Sequence, residues 1–176
     1  MNFRGKRLFF LLVVAGFFLA SDALRAQSNL VAFYSFPRDY LGQGGTYYTT
    51  NTAEFTVAGT ATLLRVAAFG FEAYFEVAFG VDLVVGRYTN ATRWPFNSDS
   101  PGLSISGNGR GCNTVCGDFE IRELGINEAG EMDRLWVTFT QQCECFGAPL
   151  SGKIRYRSQL APRRTTSQDL ARARRF

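Results

Sequence analysis

The chain has 176 residues, of which 46% are hydrophobic and 15% aromatic, and it carries a formal net charge of +4. It contains no histidine, which excludes Ser-His-Asp and Cys-His catalysis and histidine-bound metals. The roles of the charged residues and of the four cysteines are inferred below from where they lie along the chain.

Residues 1–26 have the features of a secretory signal peptide. The basic segment MNFRGKR is followed by the apolar run LFFLLVVAGFFLA and then by small residues, the order that signal peptides share. The apolar run is shorter than the roughly 20 residues that a membrane-spanning helix needs. Cleavage after Ala26 or Ala23 fits this pattern, and we expect a secreted or periplasmic protein with no stable membrane span.

Positive charge is concentrated at the two ends of the chain. Residues 1–26 hold four basic residues and one acidic residue, and residues 159–176 hold five arginines and one aspartate. The body, 27–158, keeps ten basic and thirteen acidic residues, a net charge of −3. This argues against nucleic-acid binding, which needs a basic surface. The tail, 159–176, is predicted to be disordered, with weak contact to an anionic surface as the alternative.

The body, residues 27–158, is predicted to form a single all-β domain. Short runs rich in β-branched and aromatic residues are separated by clusters of Gly, Asn, Asp, Ser and Pro. Phe119 and Ile121 alternate with charged residues, and the loop INEAGEM predicts a hairpin with Gly130 in the left-handed conformation. About eight to ten strands at this spacing predict an antiparallel β-sandwich, Ig-like or jelly-roll, with a barrel as the alternative.

The four cysteines are predicted to form two disulfides. Their spacings are CxxxC and CxC, whereas zinc sites and redox catalysts use CxxC pairs. Cys112 and Cys116 lie about 13 Å apart if the chain is extended, too far for a disulfide, so the bonds should join this segment to Cys143 and Cys145. Simple nesting of a hairpin gives Cys112–Cys145 with Cys116–Cys143. The alternative, in which Cys112 pairs with Cys143 and Cys116 with Cys145, stays open.

Six motifs, in the order RDYLGQGGTYYTT, ATRWPF, SPGLSISGNGRGCNT, GDFEI, FTQQCE and LSGKIRYRS, resemble a group of secreted bacterial β-sandwich domains. Those domains carry GDYIGxG-like, YPF-like, GRGCN and CEG/IRY motifs, and the likeness covers residues 33–158. Arg38 and Cys145 stand where the group's pattern has glycine. Members have one cysteine in the GRGCN motif and one in the CEG motif, which implies the pair Cys112–Cys143 and leaves Cys116–Cys145. The resemblance implies no activity.

The best candidates for ligand contact are aromatic and basic side chains around the segment GRYTNATRWPF. Tyr88, Arg93, Trp94 and Phe96 combine aromatic faces with hydrogen-bonding groups, as sugar- and peptide-binding surfaces do. Packing of the aromatic residues in the core is the alternative interpretation. Arg110 is added as the basic residue of the glycine-rich loop that holds Cys112.

No catalytic, metal or cofactor motif emerges from the sequence. GNGRG and GQGG do not open a predicted helix, so a phosphate cradle lacks its structural context. Glu72 and Glu76 fall on one face of a predicted strand, which is expected to be solvated. We therefore predict an exported, non-catalytic binding or structural module of the cell envelope or extracellular space, with an extracellular glycan or protein as the expected ligand of a binding module. A hydrolase of extracellular glycans that uses only carboxylates is the alternative.

Overall fold

The structure, a computed structural model, describes residues 27–78 and 80–160. The predicted signal peptide, 1–26, and the tail from residue 161 onward lie outside the described residues. Among the helices of the described part, none is long and apolar enough to cross a membrane.

Ten β-strands and one short 3-10 turn make up the described chain, which confirms the predicted all-β class. The strands are β1 (Ser28–Ser35), β2 (Thr46–Thr49), β3 (Phe55–Gly59), β4 (Leu63–Ala68), β5 (Phe71–Glu76), β6 (Gly86–Arg93), β7 (Gly102–Gly107), β8 (Val115–Ile126), β9 (Met132–Cys143) and β10 (Leu150–Ser158). The turn spans Thr52–Glu54.

All ten strands belong to one sheet, in the order β2-β1-β10-β9-β8-β6-β7-β5-β4-β3. Every pairing is antiparallel except that of β6 with β7, which is parallel and joins Thr92 to Gly102 and Arg93 to Leu103. The sheet curls at this joint into a half-barrel. The Ig-like or jelly-roll sandwich is therefore not confirmed, because a single sheet replaces the two separate sheets that it requires.

The core lies inside the curl and is rich in phenylalanine. Phe75 of β5 meets Phe119 of β8 and Phe139 of β9, with ring centroids 5.4 and 5.7 Å apart, and Phe33 of β1 contacts Phe71 of β5 at 5.9 Å. These contacts join strands on the two sides of the β6–β7 pairing in the sheet order. Burial of a phenylalanine side chain contributes about 1.5–3 kcal/mol, so this cluster holds the curl closed.

A buried glutamine links the two sides of the curl beside the disulfides. Gln141 of β9 accepts a hydrogen bond from the Ile105 N–H at 2.8 Å and donates one to the Ile105 carbonyl at 3.0 Å. Its side chain amide thus pairs with β7 as another strand would. Buried backbone groups need such partners, so Gln141 fixes where β7 approaches β9.

The end of β10 is fastened to β8 by a carboxylate. Glu123 accepts hydrogen bonds from the Ser158 hydroxyl at 2.6 Å, from the Gln159 N–H at 3.1 Å and from the Leu160 N–H at 3.3 Å. Burial raises the pKa of Glu123, but these hydrogen bonds and nearby Arg134 outweigh it and hold the pKa below its ordinary value. The first two residues of the predicted tail are therefore attached to the body.

Candidate ligand-binding surface

Two disulfides close one end of the half-barrel. They join Cys112 to Cys143 and Cys116 to Cys145, the pairing implied by the resemblance. The nested pairing is wrong, and the strand register explains why. Cys143 pairs with the buried Val115 and therefore shares the inner face, whereas Cys116 pairs with Gln142 on the outer face. We call this part of the molecule the disulfide end.

Glu144 lies between Cys143 and Cys145, each of which is bonded to a cysteine of the 112–116 segment. Its hydrogen bonds join the same two segments a third time. Its carboxylate accepts the Asn113 N–H at 2.8 Å and the Thr114 N–H at 3.3 Å, and its own N–H donates to the Thr114 carbonyl at 2.8 Å. Glu144 and Cys145 both adopt positive φ, 55° and 62°. Non-glycine residues rarely take this conformation and cluster at functional sites when they do.

The loop between β1 and β2 reaches the same end and is held by a buried carboxylate. Asp39, only 3% exposed, accepts the Ser35 hydroxyl and the Gly42 N–H, each at 2.7 Å. The Ser35 oxygen in turn accepts the Gly44 N–H at 2.8 Å. This anchoring fixes Tyr40 in an exposed position and supports the positive φ of 76° at Arg38.

Three loops line a first surface depression of about 370 Å³, which we call the Tyr40 depression. Its lining includes Arg38 and Tyr40 from the loop after β1, Asn113 from the loop before β8, and Glu144 and Phe146 from the loop after β9. Tyr40 is 55% exposed and Phe146 is 75% exposed. Large apolar side chains this open to solvent are unusual and indicate an interaction surface when they cluster.

A second depression of about 450 Å³, the Phe96 depression, adjoins the first and shares Asn113 with it. Phe96 is 72% exposed, and the Arg93 guanidinium lies over its ring, 5.1 Å from the centroid. Arg93 also donates to the Asn113 carbonyl at 3.2 Å. The exposed Cys116–Cys145 disulfide forms part of the lining.

Two further depressions of about 340 and 270 Å³ continue along the outer face of the sheet. The first of them shares Thr92 and Cys116 with the Phe96 depression, and the two share Asp118 and Thr140 with each other. We call them the outer trough. The side chains of the outer trough include hydroxyls, amides and carboxylates. Polar groups thus continue the surface beyond the exposed aromatic side chains of the Tyr40 and Phe96 depressions.

The structure brings only two of the five sequence-predicted contact residues together, Arg93 and Phe96. Tyr88 stacks on the core residue Phe119, with centroids 4.6 Å apart, and its hydroxyl bonds both the N–H and the carbonyl of Val84. Trp94 stacks on Tyr74 at 4.2 Å, and Arg110 sits half-buried in the turn that pairs it with Gly107.

The two glutamates weighed as hydrolase carboxylates do not form a close pair. Glu72 pairs with Arg65 and accepts the Tyr74 hydroxyl, both at 2.5 Å. Glu76 is four residues further along β5, so the two backbones stand about 13 Å apart, whereas glycosidase carboxylates lie about 5–9.5 Å apart. Within the described chain, no group of three or more acidic or cysteine residues is placed to hold a metal ion.

Tyr40, Phe146 and Asn113 are the contact residues that sequence reasoning missed. Tyr40 lies in the RDYLGQGG motif and Asn113 in GRGCN, so motif membership was an available signal for both. Phe146 follows Cys145, and only the disulfide pairing brings it opposite Tyr40.

Comparisons of the chain with protein-family models, with curated proteins and with solved structures found no match. The resemblance to secreted bacterial domains therefore remains a prediction.

Proposed function

We propose that this protein is exported and binds a linear glycan, without catalysing a reaction, along a surface that runs from the Tyr40 depression to the outer trough. Export is supported by the signal-peptide pattern of residues 1–26 and by the two disulfides, because disulfides persist in oxidising compartments outside the cytosol. The signal sequence and the disulfides are independent observations that agree.

Aromatic exposure at the disulfide end supports a sugar ligand. Tyr40, Phe146 and Phe96 expose most of their area beside hydrogen-bonding groups of Asn113 and Arg93. Aromatic rings pack against the apolar faces of sugar rings, while neighbouring polar groups bind hydroxyls. The rigid backbone around them lowers the entropy that binding would cost.

Continuity of the four depressions carries the proposal. Each shares at least one lining residue with the next, which suits a ligand made of repeated units. The trough crosses β8 and β9, each of which already pairs with a strand on both sides. A peptide could not add to these strands by backbone pairing, whereas hydroxyls can bond Asp118, Thr140 and Gln142.

Affinity electrophoresis in native gels that contain dextran, soluble xylan or polygalacturonate tests the proposal. At least one polysaccharide should retard the protein. Phe146→Ala and Phe96→Ala should each weaken that retardation about tenfold, the equivalent of about 1.4 kcal/mol. Tyr48→Ala is the matched control, because Tyr48 is 63% exposed and lies on β2 outside the four depressions.

Absence of retardation by every polysaccharide would count against glycan binding. An equal effect of Tyr48→Ala would show that the disulfide end is not the binding surface.

We further propose that the curled sheet is a variant of a β-sandwich in which β6 and β7 bridge the two layers. The facing contacts of Phe75 with Phe119 and Phe139 support two layers, and the short parallel joint of β6 and β7 supports a bridge. The strand order matches neither the Ig-like nor the jelly-roll arrangement closely enough to choose between them.

A further inference from the structure

Nine arginines lie in the body, and three of them gather at the disulfide end without an ion pair. Four arginines make ion pairs with carboxylates, and they are Arg65, Arg87, Arg122 and Arg134. Within residues 27–78 and 80–160, the five that make no such pair are Arg155 and Arg157 of β10 and, at the disulfide end, Arg38, Arg93 and Arg110. Arg38 lines the Tyr40 depression and Arg93 the Phe96 depression, while Gly111, next to Arg110, lines the former.

Carboxylates near these arginines are engaged elsewhere. Glu144 accepts two backbone N–H groups through one oxygen, and buried Asp39 is bonded to Ser35 and Gly42. Asp99 lies in the turn after Phe96 and lines neither of the two depressions. In a body with a net charge of −3, the disulfide end thus holds three arginines against the two carboxylates of Asp39 and Glu144, beside its most exposed aromatic side chains.

We propose that the disulfide end recognises anionic sugar residues, with Arg38 and Arg93 binding the anionic groups and Tyr40, Phe146 and Phe96 packing on the sugar rings. This inference rests on the proposed glycan-binding function and names the ligand class. Arg93 donates one hydrogen bond to Asn113, and a guanidinium has five N–H donors, so most of its donors stay available. Arginine binds carboxylates, sulfates and phosphates through paired, charge-assisted hydrogen bonds.

Hexagalacturonate and its fully methyl-esterified form provide a matched test, since esterification removes the charge and keeps the chain. Calorimetry should show that the acidic oligomer binds at least about tenfold more tightly than the ester, because the ester cannot accept charge-assisted hydrogen bonds from arginine. Raising the salt concentration should weaken the acidic complex and leave the ester complex unchanged.

Arg38→Gln and Arg93→Gln should each weaken hexagalacturonate binding about tenfold and weaken ester binding by a much smaller factor. Arg65→Gln is the control, because Arg65 is exposed and ion-paired on β4 and lines neither the Tyr40 depression nor the Phe96 depression. If a glutamine variant unfolds, Arg38→Lys and Arg93→Lys provide the test, because they keep the charge but lose the paired donors, and each should bind the acidic oligomer more weakly than the unmodified protein does. Thermal unfolding of each variant identifies such cases.

Dextran sulfate separates the possible sources of negative charge. Binding to dextran sulfate but not to hexagalacturonate would uphold the anion site and assign it to sulfated sugars. Equal affinity for acid and ester would overturn the anionic proposal while leaving glycan binding intact. Failure of every glycan, neutral or charged, would overturn both.

Discussion

At the residue scale, the candidate surface depends on a charge buried beneath it. Asp39 receives the Ser35 hydroxyl and the N–H groups of Gly42 and Leu41, the last at 3.4 Å, and the loop that it organises carries Tyr40. A buried carboxylate is tolerated only when donors surround it. Asp39 therefore holds the loop of the RDYLGQGG motif in place and does not itself line the Tyr40 depression.

Replacing Asp39 with alanine should lower the free energy of unfolding by about 2–4 kcal/mol, because it leaves buried donors unpaired. The midpoint of urea denaturation measures this loss. Asp99→Ala, at an exposed position, should change the free energy by less than about 0.5 kcal/mol. Equal effects of the two substitutions would contradict the role assigned to Asp39.

At the element scale, the outer face of β8, β9 and β10 is held by side chains that alternation alone would leave in water. Trp136 of β9 points outward but is only 6% exposed. The Arg155 guanidinium lies 3.7 Å from its ring centroid, and that of Arg122 lies 5.3 Å away. Arginine stacks on indole rings and shields them from water, so these three strands are joined on both faces.

Glu123 fastens the end of β10 to β8, and its contribution should depend on pH. Its pKa is lower in the folded protein than the ordinary 4.5, so its charge stabilises the fold above pH 4.5, and this stabilisation is lost as the pH falls through the folded pKa. Glu123→Gln should therefore cost about 1–2 kcal/mol at pH 7, and the cost should fall as the pH is lowered below 4.5.

Urea denaturation of both proteins at pH 7, 5 and 3 measures that difference, with Glu128→Gln in the exposed hairpin loop as the control. A difference that stays constant with pH would contradict the hydrogen-bonded carboxylate.

Local patterns in the sequence predict the strands well and the curl poorly. Phe119 and Ile121 are buried, and Gly130 takes the left-handed conformation with φ of 79°, because alternation and turn chemistry are local. The parallel joint of β6 and β7 depends on contacts distant in sequence and has no local signal. The candidate surface is harder to predict, since Phe146 and Tyr40 line one depression although they are distant in sequence, and the positive φ of Glu144 and Cys145 before Phe146 has no local sequence signal.

At the scale of the whole molecule, the ends of the described chain lie at one end of β1 and β10, and the loop that carries Tyr40 lies at the other. Ser28 and Ser158 pair where the body begins and ends, and Ser35 and Leu150 pair at the opposite end of β1 and β10. These strands span about 23 Å. The two points where the described body begins and ends are thus separated from the disulfide end.

The central claim is that the disulfide end binds a glycan, and mapping the contact surface by NMR tests it most directly. Hexagalacturonate added to ¹⁵N-labelled protein should shift the amide signals of Arg38, Tyr40, Asn113, Glu144 and Phe146 and leave β2 and β3, at the two sheet edges, unchanged. Shifts confined to those edge strands, or no shifts with any of the glycans named above, would contradict the account.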